Sequence, residues 1–243
     1  MNFNNILFLD IETASQQQSY EQLADDWKEL WDLKAGLLNR GRDETSSEEL
    51  YNRAGIYAEF GKIICISCGC LQGAKDDRKL VIKSYCGDDE KKLLTDFAAM
   101  LQKWDVTAER FLCAHNGKEF DYPYICRRMT INEISLPSVL QIAGKKPWEM
   151  RHLDTMELWK FGDYKNFTSL KLLAKVFDIA SPKDDIDGSM VNTVYWVEKN
   201  LQRIVKYCQK DVVTLTQVLL RFNGEPFVKP ENVSIKNVEE NQL

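Results

Sequence analysis

Residues 5–12, NILFLDIE, open with four consecutive apolar positions, Ile6 to Leu9, and end in acid. A continuous apolar run of this length predicts a strand buried on both faces, as at the centre of an α/β sheet. Residues 62–71 and 79–86 are two further runs rich in Ile, Val and Cys, and the turn signals between Gly73 and Arg78 make them antiparallel neighbours. Leu93, Leu94, Phe97, Met100, Leu101 and Trp104 recur at helical spacing behind Asp88 and Asp89, either of which can cap the helix. Phe111 to Ala114 reads as a short strand. A helix follows from Asp121, with Pro123 tolerated in its first turn. Arg151 to Thr155 reads as another short strand, Ser169 to Phe177 as a helix, and Val191 to Phe222 as a long helical region broken once.

Two stretches depart from this alternation. Between Glu12 and Lys62 no strand pattern occurs. Tyr20, Leu23, Trp27, Leu30, Trp31 and Leu37 fall on one helical face, and Ser46-Ser47-Glu48-Glu49 has the form of a capping box opening a second helix. Residues 13–61 are therefore expected to be a helical insertion within a single domain spanning 1–223. It leaves the chain just after Glu12, so it is expected to pack over or beside whatever site Glu12 serves. Arg40, Arg42 and Arg53 are its candidate phosphate contacts, and a structural brace is the alternative. Residues 224–243 are polar, carry two prolines and lack periodicity, so a loose tail is expected there.

Composition adds limits. With 44% hydrophobic and 28% charged residues the chain has the balance of a folded globular protein. A net charge of −5 excludes a coat protein that holds nucleic acid by bulk positive charge, but leaves room for an enzyme whose acidic residues bind metal. The apolar run at the start is too short for a signal peptide or a membrane span, and seven scattered cysteines read as reduced thiols. A cytoplasmic location, with no membrane contact, is the expectation.

The acids carry the chemistry. Asp10 and Glu12, two apart at the carboxyl end of the first strand, point to one face, and that end of a strand is where open α/β sheets place ligands. Like charges so close raise each other's pKa unless a divalent cation binds both. An exposed strand end is the alternative. Asp211 lies on the apolar stripe of Ile204, Cys208, Leu215 and Leu219, where an unpaired carboxylate is costly; a bent or rotated helix that exposes it is the alternative. Tyr207, four residues earlier, is its neighbour on the helix. Asp121 reads either as a helix cap or as a third site acid.

Three segments carry these groups: DIET at 10–13, HNGKEFDYPYI at 115–125 and YCQKDVVTL at 207–215. In that order and wording the chain resembles the tyrosine branch of the DEDD superfamily of 3′–5′ exonucleases. It looks most like the proofreading exonuclease domain of family-B DNA polymerases, here as a stand-alone bacterial protein. The segments at 59–67, 152–159 and 169–191 add to the resemblance, which covers about residues 5–222. It implies an α/β, RNase H-like fold: a five-stranded mixed sheet flanked by helices, with the helical insertion after the first strand.

The resemblance also implies two divalent cations, Mg²⁺ or Mn²⁺. Asp10, Glu12 and Asp211 match the positions holding one, and Asp10 and Asp121 those holding the other. Tyr207 matches the group that hydrogen-bonds the attacking water. The histidine branch would place its base where Lys206 stands. Asn116 and Thr13 match substrate-binding positions. The expected reaction is hydrolysis at the 3′ end of single-stranded DNA, with a separate replication or repair protein as partner. The alternatives are a 3′–5′ exoribonuclease of the same chemistry and a non-catalytic nucleic-acid-binding module on the same scaffold.

The remaining candidates read as structural. Asp154 suits a cap better than a metal ligand. Lys183, Asp184, Asp185 and Asp187 form a solvated loop. His115 and His152 assemble no nucleophilic triad. Cys65, Cys68 and Cys70 alternate across a strand, which does not suit zinc.

Overall fold

The computed structural model describes residues 1–40, 45–105, 109–163, 167–180 and 186–236. Arg42, Lys183, Asp184 and Asp185 lie outside them. Its centre is strand β1 (Ile6–Ser15), flanked by antiparallel β2 (Gly61–Gln72) and parallel β4 (Phe111–Ala114). β3 (Lys79–Cys86) runs antiparallel to β2, and β5 (Leu153–Asp154) parallel to β4. The sheet order is β5-β4-β1-β2-β3-β6. The mixed sheet and its opening meander are as expected.

The sheet has one strand more than expected. β6 (Val233–Lys236) pairs parallel with β3 and lies in the stretch read as a loose tail. Without it β3 would be an open edge with unpaired backbone groups. The lead-in is also fixed: Val228 is buried, and Gln217 bonds both its N–H (3.0 Å) and its carbonyl (2.8 Å).

Alternation along β1 splits the core into two layers. Leu7, Leu9 and Ile11 pack with helices α3 (Glu90–Trp104) and α4 (Asp121–Ile131). Ile6 and Phe8 pack with the final helix α8 (Leu201–Phe222) through Val212, Leu215 and Leu219. Further along, Ala14 and Cys65 meet α7 (Val191–Trp196) and the start of α8 at Val194, Ile204 and Cys208. The expected single break is the interval between α7 and α8. Asp89 caps α3 by accepting from the Lys92 amide at 3.0 Å. Cys65 belongs to the α8 layer and Cys68 to the α3 layer, so they do not converge. All seven cysteines are free thiols.

The insertion is helical, with two differences from expectation. β1 runs three residues past Glu12, and the long helix α1 (Asp25–Leu38) begins only at Asp25, after a 3₁₀ turn at Tyr20–Gln22. Of the anticipated face, Leu23 and Trp31 are buried, but Leu30 and Leu37 are exposed. The stripe is wider than the small core it faces. In that core the Trp31 ring meets Tyr51 and Phe60 edge-on at 5.3 and 5.0 Å. α2 (Ser47–Tyr51) opens with the expected capping box between Ser46 and Glu49. The segment is pinned to the sheet at 54–61: Tyr124 donates to the Gly55 carbonyl at 2.7 Å, and Arg128 to that of Ala58 at 2.8 Å. Arg128 is itself held by Glu90 in a buried, two-pronged ion pair.

Candidate active site

The end of β1 carries Asp10 and Glu12 onto the α8 face. Their carboxylate oxygens and the Cys208 sulfur all lie within 4.8 Å of one another, the one such group of potential ligands among the described residues. Asp10 Oδ2 is buried and has no hydrogen-bond partner. An orphaned carboxylate oxygen in a protein interior is costly unless something positive faces it.

The other acids face the same point. Burial, then the charges of Asp211 and Asp121, push the Asp10 carboxyl well above the ordinary carboxylate range. Burial, then Asp10 and Asp211, do the same to Glu12. Asp121 is only 4% exposed, and burial raises it to about 7, opposed by backbone hydrogen bonds from its own amide and that of Ile11. The four acids thus converge from β1, α4 and α8. Asp211 and Asp121 make the ionised form of Asp10 less favourable, and Asp10 and Asp211 that of Glu12, and the four carboxylates offer a set of oxygen donors. Such a set suits Mg²⁺ or Mn²⁺.

Asp121 is not the helix cap that its position suggested. It is the first residue of α4; Phe120 occupies the cap position, with no side-chain cap bond. Asp154 is the capping residue. It is 4% exposed and accepts from the amides of Met156 (3.0 Å) and Glu157 (3.2 Å), opening helix α5 (Thr155–Lys160). Its carboxylate also accepts from the amides of Asn116 (2.9 Å) and Lys118 (3.1 Å). One buried acid therefore fixes the loop that leads into Asp121. Within that loop Asn116 holds a left-handed φ of 65°, and a Cβ on Gly117 would come within 2.3 Å of Ala114 Cβ. Only glycine fits at 117.

Tyr207 stands one turn before Asp211 on α8 and is hydrogen-bonded to it. Burial, then the charges of Asp211, Glu12 and Asp10, push its phenol far above the ordinary range. Its hydroxyl stands beside the acids, where it can orient a water or a phosphate oxygen. The Thr13 hydroxyl is engaged by Tyr124 on α4, the far layer from Glu12. Both histidines are tied structurally: His115 to Thr155 Oγ1 and the Thr168 carbonyl, each at 2.8 Å, and His152 to Leu112 and Val139.

Cys208 escaped the sequence reading because a thiol on an apolar stripe looks like ordinary core. It donates to the Asp10 carbonyl at 3.4 Å, and burial pushes its own pKa up, so it stays a thiol beside the carboxylates. Its spacing, three residues before Asp211, was the available signal.

A family model described as RNase_H superfamily matches residues 53–223. No curated protein matches the chain. Among solved structures, the family B DNA polymerase of the hyperthermophilic archaeon Pyrobaculum calidifontis aligns with a TM-score of 0.56 at 14% identity. The alignment covers 89% of this chain and 24% of the polymerase, so the chain spans about a quarter of that protein's length. At that identity the likeness is one of fold.

Proposed function

The chain belongs to the RNase H superfamily, and from that premise we propose that it is a metal-dependent nuclease hydrolysing the terminal phosphodiester bond at the 3′ end of single-stranded DNA. The observation that carries this is the buried, partnerless Oδ2 of Asp10, whose charge Asp211 and Asp121 disfavour, beside the likewise buried Glu12. Asp10, Glu12 and Asp211 would hold one divalent cation, and Asp10 with Asp121 a second. When bound, such a pair supplies an activated water and neutralises the oxygen that leaves.

The chain's own groups do the rest. The Tyr207 hydroxyl, next to Asp211, orients the water beside the acids. Asn116, fixed by Asp154, faces the terminal nucleotide. The layered packing of β1 against α8 keeps the acids in register, so little reorganisation is needed at reaction.

The test is hydrolysis of a 5′-labelled single-stranded DNA, and of the matched RNA, by purified protein with Mn²⁺. DNA should be cut faster than RNA. Asp10→Ala or EDTA should abolish product, the former without altering the far-UV circular dichroism. Full activity in EDTA or in Asp10→Ala would sink the proposal, and equal or faster cutting of RNA would move the substrate to RNA.

A further inference from the structure

Beyond Glu12, β1 continues to Ser15 and faces Lys62 on β2 across the Ala14 pair. A cavity of about 290 Å³ opens there, lined by Lys62, Asp88, Tyr195, Trp196, Lys199 and Leu201. Its walls are rigid. Trp196 Nε1 donates to the Ser15 carbonyl at 3.1 Å, and Asn192 accepts from both the Ser15 amide and its hydroxyl at 2.9 Å. α7 is thereby fastened to the strand that carries Asp10 and Glu12.

Two cations meet on one ring. Lys62 Nζ lies 5.0 Å and Lys199 Nζ 4.7 Å from the Trp196 ring centroid. Lys62 also donates to Tyr195 OH at 2.8 Å, which donates in turn to Asp88 at 2.6 Å. Asp88 is the one acid among the described residues of the lining, and Tyr195 takes one of its oxygens. Burial holds Lys62 below its ordinary pKa, against the opposing charges of Asp88 and Glu90. Lys199 is itself in left-handed backbone at φ 53°, where asparagine or glycine is the easier residue. A lysine in strained backbone at the cavity wall is a cost that a purely structural corner does not need. The cavity also borders the start of α8, the positive end of a 22-residue helix dipole.

We propose that this cavity is a phosphate subsite for the single-stranded substrate, in which Lys62 and Lys199 hold one backbone phosphate on the 5′ side of the bond to be cut. The proposal rests on the nuclease reading for which strand is held. Ala14 is two residues beyond Glu12, about 7 Å along the strand. A strand with its 3′ end at the acids would pass over α7, which covers Ala14, to reach Lys62. The anion takes the place between two like charges, and the Trp196 ring holds both in position.

The test is fluorescence anisotropy with a labelled ten-nucleotide single-stranded DNA, in EDTA so that nothing is cut. Lys62→Gln and Lys199→Asn should each weaken binding roughly ten-fold, the effect of losing one charge-assisted hydrogen bond. Each should also flatten the slope of log affinity against log salt by about 0.7, one phosphate contact's worth on a single strand. Lys199→Asn keeps a residue that tolerates left-handed backbone, and Lys62→Arg and Lys199→Arg should retain both affinity and slope. Native-like affinity and slope in the Gln and Asn variants would overturn the subsite, as would equal loss in the Arg variants or no binding by the native protein. The two readings fail separately. Hydrolysis of a 5′-labelled strand with lysine-independent binding sinks the subsite alone, and lysine-dependent binding without hydrolysis sinks the nuclease alone.

Discussion

His152 should make stability fall with acid, by an amount set by its surroundings. The ring is 3% exposed. Its Nδ1 accepts from the Leu112 amide at 3.3 Å, and its Nε2–H donates to the Val139 carbonyl at 2.8 Å. Only the neutral ring can do both. A second proton would sit on Nδ1 and face the Leu112 N–H inside the protein. Burial accordingly lowers the ring from the ordinary 6.5 to about 4. The unfolded chain takes up this proton near 6.5, whereas the folded chain does not until about 4. Between those values the unfolded state binds more protons, so stability rises with pH, and what is present above 6.5 is lost progressively on acidification. A gap of about 2.5 units corresponds to about 3 kcal/mol, of which about 2 should be gone by pH 5.

Asp10, Glu12 and Asp121 titrate with the opposite sign, because their raised values ease the folded state as pH falls. The informative quantity is therefore a difference. Gln can offer one acceptor and one donor at 152 but does not titrate. Urea unfolding of the native protein and of His152→Gln at pH 7.5 and pH 5 should show the stability gap between them shrinking by about 2 kcal/mol. A gap unchanged to within about 0.5 kcal/mol would refute the reasoning, because it would mean that His152 titrates alike folded and unfolded.

Two further substitutions separate chemistry from packing. Tyr207→Phe should lower kcat roughly ten- to a thousand-fold, the scale for losing one positioning group, while Mn²⁺ still raises the melting temperature as in the native protein; an unchanged kcat would reduce Tyr207 to packing. Arg128→Met should cost about 3–5 kcal/mol in urea unfolding by stranding buried Glu90, and the double variant Glu90→Leu, Arg128→Met should recover most of it; a single variant as stable as the native protein would show that the pair is dispensable.

Much of the architecture was legible because long apolar runs leave few options. The runs at 5–12, 62–71, 79–86 and 111–114 became β1 to β4, and the capping signals at Ser46 and Asp89 opened the helices they promised. Short elements hid. Val233–Lys236 is four residues long with Ile235 half exposed, so its alternation barely differs from that of a loop. The face of α1 was overread because helical spacing reports a stripe, not the width of the surface beneath it; Leu30 and Leu37 fall off its edge.

The candidate site divides the same way. Asp211 was conspicuous as an acid on an apolar stripe, and Asp10 and Glu12 as acids ending an apolar strand. Asp154, which organises four backbone amides around the Asn116 loop, could be read as a cap but not as that hub, because two of those amides lie 36 and 38 residues away. Lys62 and Tyr195 are 133 residues apart, and no local pattern announces that they touch.

If the four acids cut from the 3′ end, the polarity of degradation reveals it. A single-stranded DNA labelled at its 5′ end in one reaction and at its 3′ end in another is followed over time with Mn²⁺. The 5′-labelled strand should give a ladder that shortens one nucleotide at a time, with the 3′ label released at once as a mononucleotide, as expected of cutting from the 3′ end. Internal fragments from both strands, or release of the 5′ label first, would contradict it.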